Sequence, residues 1–187
     1  MSRSPLVIRT AVPGDASVLT DLWSDALRRG EGADQLADCL RAVTRAAASE
    51  DERLVVVEYD GEIAGAVYLC ATTVSPLNTE PIVHAISPQV FERFRRHGVG
   101  SALMEASVSF AEERGIAHLA APTSASSRDA NRFMARLSYA PVAMLRVGST
   151  ATVRARLSAM RPARVQPARN IDKVLAARRQ RRREGVA

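Results

Sequence analysis

The chain has 187 residues, 47% of them hydrophobic and 25% charged, enough for one well-cored domain with an appendage and too few for two large domains. Its net charge of +6 is uneven: residues 1–160 hold 17 Arg against 18 Asp and Glu, whereas residues 161–187 hold eight Arg and Lys173 against Asp172 and Glu184. Basicity therefore belongs to the tail and does not make the body of the chain a nucleic-acid binder. No stretch approaches the roughly 20 apolar residues that span a bilayer, so a cytoplasmic chain without membrane contact is expected.

In chain order, LVIRTAV (6–12) alternates as a strand, and Pro13-Gly14-Asp15 supplies a turn with Asp15 as helix cap. Leu19, Leu22, Trp23, Ala26 and Leu27 share one helical face, and Arg28, Arg29 and Gly30 suit the helix end. A second helix is predicted over 34–48 with Leu36, Leu40 and Val43 inward. RLVVVEY (53–59) and EIAGAVYLCATTV (62–74) flank Asp60-Gly61, the signature of a tight hairpin turn. SPLNTEP reads as a loop and PIVHAIS (81–87) as a strand. A helix over 98–114 buries Val99, Leu103, Ala106 and Phe110, with Gly115 as its stop. IAHLAAP (116–122) reads as a short buried strand. Ser126 and Asp129 suggest a capped helix bearing Ala130, Phe133, Met134 and Leu137, and PVAMLRV (141–147) reads as a last strand. Cys39 and Cys70 lack metal-binding spacing and read as core residues, so no metal site is expected. The order implies an α/β chain of the α+β type, with a mixed sheet covered by helices on both faces.

The stretch RFRRHGVGSALMEA (93–106) carries the chemistry. A helix start leaves backbone N–H groups unpaired and partially positive, which suits phosphate. Gly98 and Gly100 let a ligand approach the backbone, and Arg95, Arg96 and His97 add charge, so a pyrophosphate-bearing guest fits. No Gly-Lys-Ser/Thr follows, and Leu103 stands where a dinucleotide fingerprint needs its third glycine. An ordinary helix entry with solvated arginines is the competing reading.

Arg95-Arg-His-Gly-Val-Gly100 resembles the Arg/Gln-x-x-Gly-x-Gly/Ala loop of the GCN5-related N-acetyltransferase (GNAT) superfamily, and the order of elements resembles that fold from residue 6 to about 147. Ala130-Asn-Arg-Phe-Met-Ala-Arg-Leu-Ser-Tyr-Ala140 resembles the family's Asn-bearing helix and its terminal Gly-Phe motif, with Ser138 and Tyr139 at the last two positions. The resemblance implies acetyl-CoA: the backbone of Arg96, His97, Gly98, Val99, Gly100 and Ser101 holds the pyrophosphate, with Arg95 first in the motif. It implies that the segment around Val90 and Glu92 meets the pantetheine arm and the thioester carbonyl, and that Asn131 touches the cofactor. The family's Val-x-Pro is absent here, where Val90-Phe91-Glu92 follows an earlier Pro88.

Acetyl transfer to a primary amine, with a pKa near ~10.4, needs a route for the amine proton, a donor for the oxyanion and, usefully, an acid for the thiolate. Members of the family often place that acid, a tyrosine, where this chain has Met134, which donates nothing. Tyr139, Ser127 or water then takes the role, or the thiolate leaves unassisted. His84 is the candidate base, an even number of residues from Val90 and so expected on the same face; a hydrogen-bonded structural histidine is the competing reading. His118 reads as structural, Glu58, Glu62 and Glu80 as solvated charges, and Trp23 as core or groove wall.

STATVRARLSAM (149–160) reads as a helix, with a last strand over TVRARL as the competing reading, and residues 161–187 as a proline-punctuated linker with an Arg-rich helical tail after a GNAT domain over 1–160. The tail is either a solubilising helix or a nucleic-acid or ribosome contact. The sequence thus points to an N-acetyltransferase acting on a small-molecule or peptide amine. The alternative is a non-catalytic acyl-CoA-binding or nucleic-acid-associated adaptor. A homodimer is a family-level expectation.

Overall fold

The computed structural model describes residues 6–24, 32–124, 126–143 and 145–160. The chain divides into two compact units, Met1–Ala140 and Pro141–Ala187. In the first unit five strands pair in chain order: β1 (Leu6–Thr10), β2 (Glu52–Tyr59), β3 (Glu62–Ser75), β4 (Asn78–Val90) and β5 (His118–Ala120). The first four are antiparallel neighbours, and β5 joins β4 in parallel. A parallel partner requires a crossover. α3 (Val99–Glu112) supplies it, and α1 (Ala16–Leu22), α2 (Gly32–Ala47) and α4 (Arg128–Arg136) complete the unit. The architecture is the α+β mixed sheet with helices on both faces that the pattern predicts.

Period-two alternation divides the sheet's side chains between two cores. Val55, Val57, Val67, Leu69, Val83 and Ala85 meet Val99, Leu103 and Phe110 of α3 and Met134 of α4. On the other face Leu54, Val56 and Ala66 meet Leu19, Leu22 and Trp23 at α1 and Cys39, Val43 and Ala46 of α2. Of the predicted α2 face Val43 is buried as expected, whereas Leu36 and Leu40 are each 43% exposed and Cys39 and Ala46 take the inward positions beside it.

The Asp60-Gly61 turn forms as predicted, with φ of 52° and 77°, the left-handed pair that matches strand twist. SPLNTEP is not a loop: β3 runs to Ser75 and β4 starts at Asn78, with the Ser75 hydroxyl accepting from the N–H groups of Leu77 and Asn78. Asp15 precedes α1 but makes no side-chain cap. Its carboxylate instead accepts from the Val12 N–H and from Arg9, which also holds Glu58. The cap of α4 is Ser127, whose hydroxyl accepts from the Ala130 N–H, while Ser126 is engaged with Ser124. The predicted buried strand at 116–122 shrinks to three residues, of which His118 is exposed and Leu119 and Ala120 are half-buried.

In the second unit, α5 (Thr150–Met160) forms as predicted and is exposed along its length. The predicted strand at 141–147 is absent among the described residues, with Val142, Leu145 and Val147 at least 90% exposed. A run of strand-forming residues marks a segment able to pair; it does not provide the partner edge. The Arg-rich tail and the predicted end of the first helix lie outside the described residues.

Gly65 is the tightest backbone approach. A Cβ there would sit 2.6 Å from the Gln89 carbonyl oxygen and 2.9 Å from Val99 Cγ1. Gly65→Ala should therefore cost about 1–3 kcal/mol and displace β4 at Gln89. A denaturant midpoint checks the first effect, and loss of protection of the Phe91 amide, which is bound to the Ala64 carbonyl, the second.

Candidate active site

β4 has thirteen residues, but β5 pairs with three of them, Ile82, Val83 and His84. Beyond His84 and Ala120 the two strands part, and among the described residues no strand takes the outer edge of β4 from Ala85 to Val90. Two features accompany the parting. On one side Asn131 Nδ2 donates to the carbonyls of Ser124 (2.9 Å) and Ser127 (2.7 Å), and its Oδ1 accepts from Thr123, so the chain after β5 is tied to α4. On the other, β4 bulges. Ala66 opposes Gln89 and Tyr68 opposes Ile86, leaving an extra residue in β4, with Ser87 at φ 47° and Pro88 lacking an N–H.

The bulge changes the site's geometry. Before it, His84 opposes Cys70 and faces the α1–α2 side with Tyr68 and Ala66. After it, Val90 packs toward the α3 core. The expectation that His84 and Val90 share a face is thus overturned, because one inserted residue reverses parity. The Phe91 N–H donates to the Ala64 carbonyl at 2.9 Å, so alternation turns the Val90 N–H toward the open edge.

At the end of that edge the chain makes a short 3-10 turn, Glu92–Phe94, and then enters α3. Arg96 (φ 65°) and Gly98 (φ 89°) are left-handed, and Gly98 caps the helix. The first intrahelical bond runs from the Ala102 N–H to the Gly98 carbonyl, so the amides of Val99, Gly100 and Ser101 belong to the unpaired first turn. No side chain caps that turn and no acidic residue lies in it. Arg95, Arg96 and His97 are exposed around it. His97 Nδ1 lies 2.8 Å from the Arg95 carbonyl and its ring rests on Tyr59, which fixes the loop from below. A diphosphate matches this donor set in charge and hydrogen-bonding type. Glu92 is exposed and its carboxylate lies 3.7 Å from Arg95.

Tyr139 and Met134 belong to the α3 face. Met134 is buried in the core, and the Tyr139 N–H donates to its carbonyl. Tyr139 packs on that core, and burial raises its phenol above the ordinary value, keeping the proton in place. His84 and Tyr139 therefore lie on opposite faces of the sheet. Trp23 is 6% exposed, and its Nε1 donates to the Ser87 carbonyl at 2.9 Å. His118 is exposed beside Glu80 at 3.2 Å, which corrects the structural reading of that histidine. Glu62 pairs with Arg93. Among the described residues no group of three or more His, Cys, Asp or Glu could hold a metal ion, and no helix is long and apolar enough to cross a membrane.

Sequence reasoning missed the row Glu52, Cys70, His84, aligned across β2, β3 and β4 on the α1–α2 face. The buried Glu52 carboxylate accepts from Arg45 and from the Tyr68 hydroxyl at 2.6 Å. Sequence reasoning also missed the bulge, for which Ser87-Pro88 inside an apolar run is the signal. A cleft of about 580 Å³ lined by Ser49, Asp51, Glu52, Arg53, Glu113 and Arg114 lies at the far end of α3, roughly 20 Å from the glycine turn by helix rise.

The profile of the acetyltransferase (GNAT) family matches residues 17–139, and the chain belongs to that family, whose members use acetyl-CoA. No curated protein sequence matches it. Among solved structures, an aminoglycoside N-acetyltransferase in complex with CoA is similar at TM-score 0.65 and 17% identity, covering 79% of this chain and 95% of its own. A transcriptional regulator from Bacillus halodurans C-125 is similar at TM-score 0.64 and 21% identity, covering 78% and 100%. A ribosomal-protein-alanine N-acetyltransferase from Brucella melitensis biovar Abortus 2308 is similar at TM-score 0.60 and 16% identity, covering 78% and 99%. At these identities the likeness is one of fold.

Glu52 gives a pH prediction. Desolvation pushes its carboxyl upward, but hydrogen bonds from Arg45 and Tyr68 together outweigh it and hold the group below its ordinary value. Its stabilisation is complete above the unfolded value of ~4.3 and is lost as pH falls through the lower folded one. Glu52→Gln should cost about 1–3 kcal/mol at pH 7, and its melting curve should converge on wild type in strong acid.

Proposed function

We propose that the chain is an N-acetyltransferase that moves an acetyl group from acetyl-CoA to a primary amine. The observation that carries this reading is the continuity of an unfilled β4 edge with a helix start that has no side-chain cap and no acid in its first turn. The first-turn amides of Val99, Gly100 and Ser101, with the loop from Arg95 to Gly98, hold the diphosphate. Bound acetyl-CoA supplies an activated acetyl thioester. The Val90 N–H and the adjoining segment to Glu92 line the pantetheine path, and Asn131 borders it from α4.

The amine approaches from the α1–α2 face, where His84 stands at the point of parting and takes its proton. Tyr139, on the other face and holding its proton, protonates the departing thiolate. His84 and Tyr139 thus divide the proton transfers, one taking the proton of the attacking amine and the other giving a proton to the sulfur expelled from the tetrahedral adduct. The acceptor is a small molecule or a peptide amine. The body is a domain over 1–160, and the Arg-rich segment over 161–187 is an appendage able to contact nucleic acid or ribosome. The buried Met134 favours one second reading, an acyl-CoA-binding module without turnover, because the position where the family often carries an acid belongs to the core.

Calorimetric titration of CoA into wild type and Gly100→Glu tests the cofactor site. A Cβ at Gly100 would meet the Phe133 ring at an ordinary 3.7 Å, so the variant should fold. Placing a carboxylate among the diphosphate donors should weaken CoA at least tenfold, or about 1.4 kcal/mol. Equal binding would refute the site. Thiol release is then followed with an aminoglycoside and an alanine-terminated peptide as probe amines. His84→Ala should lower kcat/KM by about 10²–10⁴ and leave CoA affinity unchanged. CoA binding with no amine-dependent release would instead support the non-catalytic module.

A further inference from the structure

Trp23 closes α1 as its C-terminal cap and is buried with Leu19, Leu22, Val56 and Ala66. Its indole N–H reaches 64 residues along the chain to the Ser87 carbonyl. That carbonyl belongs to the one residue of β4 with a positive φ, the residue whose insertion shifts the strand's register. A peptide rotated out of a ladder directs its carbonyl away from neighbouring strands, and a carbonyl facing an apolar core needs a donor. An indole has one donor on a rigid frame, so packing the ring fixes the direction of the bond.

The same few residues are held from the other side. Gly65 of β3 admits the Gln89 carbonyl at a distance no side chain allows, and the Phe91 N–H is bound to Ala64. Ser87 to Val90 thus lies between a hydrogen bond from α1 and backbone contacts from β3. Within that span Pro88 offers no donor, which leaves the Val90 N–H as a donor on the open edge.

We propose that Trp23 is a positioning residue for acyl transfer: its indole N–H fixes the β4 bulge, and with it the course of the open edge, so that the acyl carbonyl near the parting meets edge donors already in place. The role rests on the acetyl-transfer reading above. Preorganised donors act because they need not reorient when charge develops, and Trp23 supplies that rigidity without touching the reacting atoms.

The chain contains one tryptophan, so biosynthetic replacement by 3-benzothienylalanine changes this position alone. The analogue keeps the bicyclic shape and replaces the N–H with sulfur. The probe is acetyl-CoA labelled with ¹³C at the carbonyl, read by isotope-edited infrared spectroscopy on the full chain, beside calorimetric CoA affinity. The native form should lower the carbonyl stretching frequency on binding. The sulfur form should bind CoA equally well and lose most of that lowering, and Trp23→Phe should behave like it. A native band in either altered form, whatever the change in melting temperature, would overturn the inference and leave Trp23 as packing. So would a native form that binds without moving the band. Failure of the native form to bind acetyl-CoA would overturn the acetyl-transfer reading itself, and this inference with it.

Discussion

β4 presents an edge that β5 does not fill. A strand edge exposes a row of N–H and C=O groups that must pair with something, and here the row begins at the last shared position, His84 with Ala120, and runs to Val90. The opening is held by the bulge at Ser87, by Pro88, and by Asn131 tying the following chain to α4. Because β4 leads directly into α3, the unfilled edge ends at the helix start with its unpaired amides. An elongated ligand with a diphosphate at one end and amide groups along its length satisfies both features at once.

The sheet also separates the chemistry into two faces. The α3 face carries Val90, Met134 and Tyr139, and the α1–α2 face carries His84, Tyr68, Glu52 and Trp23. The one-residue bulge places Val90 and His84 on different faces, and only near the parting can a ligand on one face meet a group on the other. Trp23 joins the α1–α2 face to that same bulge, so the bulge is set from both sides.

Much of this was legible in the residues. The Asp60-Gly61 hairpin, the Gly98 entry to α3, the core of Val99, Leu103 and Phe110, and the mixed sheet follow from turn chemistry and periodicity. The glycine turn was legible as a helix start, which the structure shows without a side-chain cap or an acid in its first turn. What escaped depends on register. A bulge between Val57 and Glu58 places Glu52 opposite Cys70, where a regular hairpin would oppose it to Leu69, so no local pattern links Glu52 to Tyr68. The bulge at Ser87 likewise reversed the face assigned to His84. The segment 141–147 shows the converse: its apolar run suits a strand, but composition is silent about whether an edge is available to receive it. Leu36 and Leu40 misled because periodicity marks an apolar stripe without fixing its edges, and the buried face runs through Cys39, Val43 and Ala46.

The central claim is that the open edge and the helix start form one cofactor slot, and amide hydrogen exchange with and without CoA tests it most directly. The account predicts new protection at Val90 and at Val99, Gly100 and Ser101, with the amides of β1 and β2 unchanged. Protection confined to the cleft beside Arg53 and Glu113, or none at the α3 start, would contradict it.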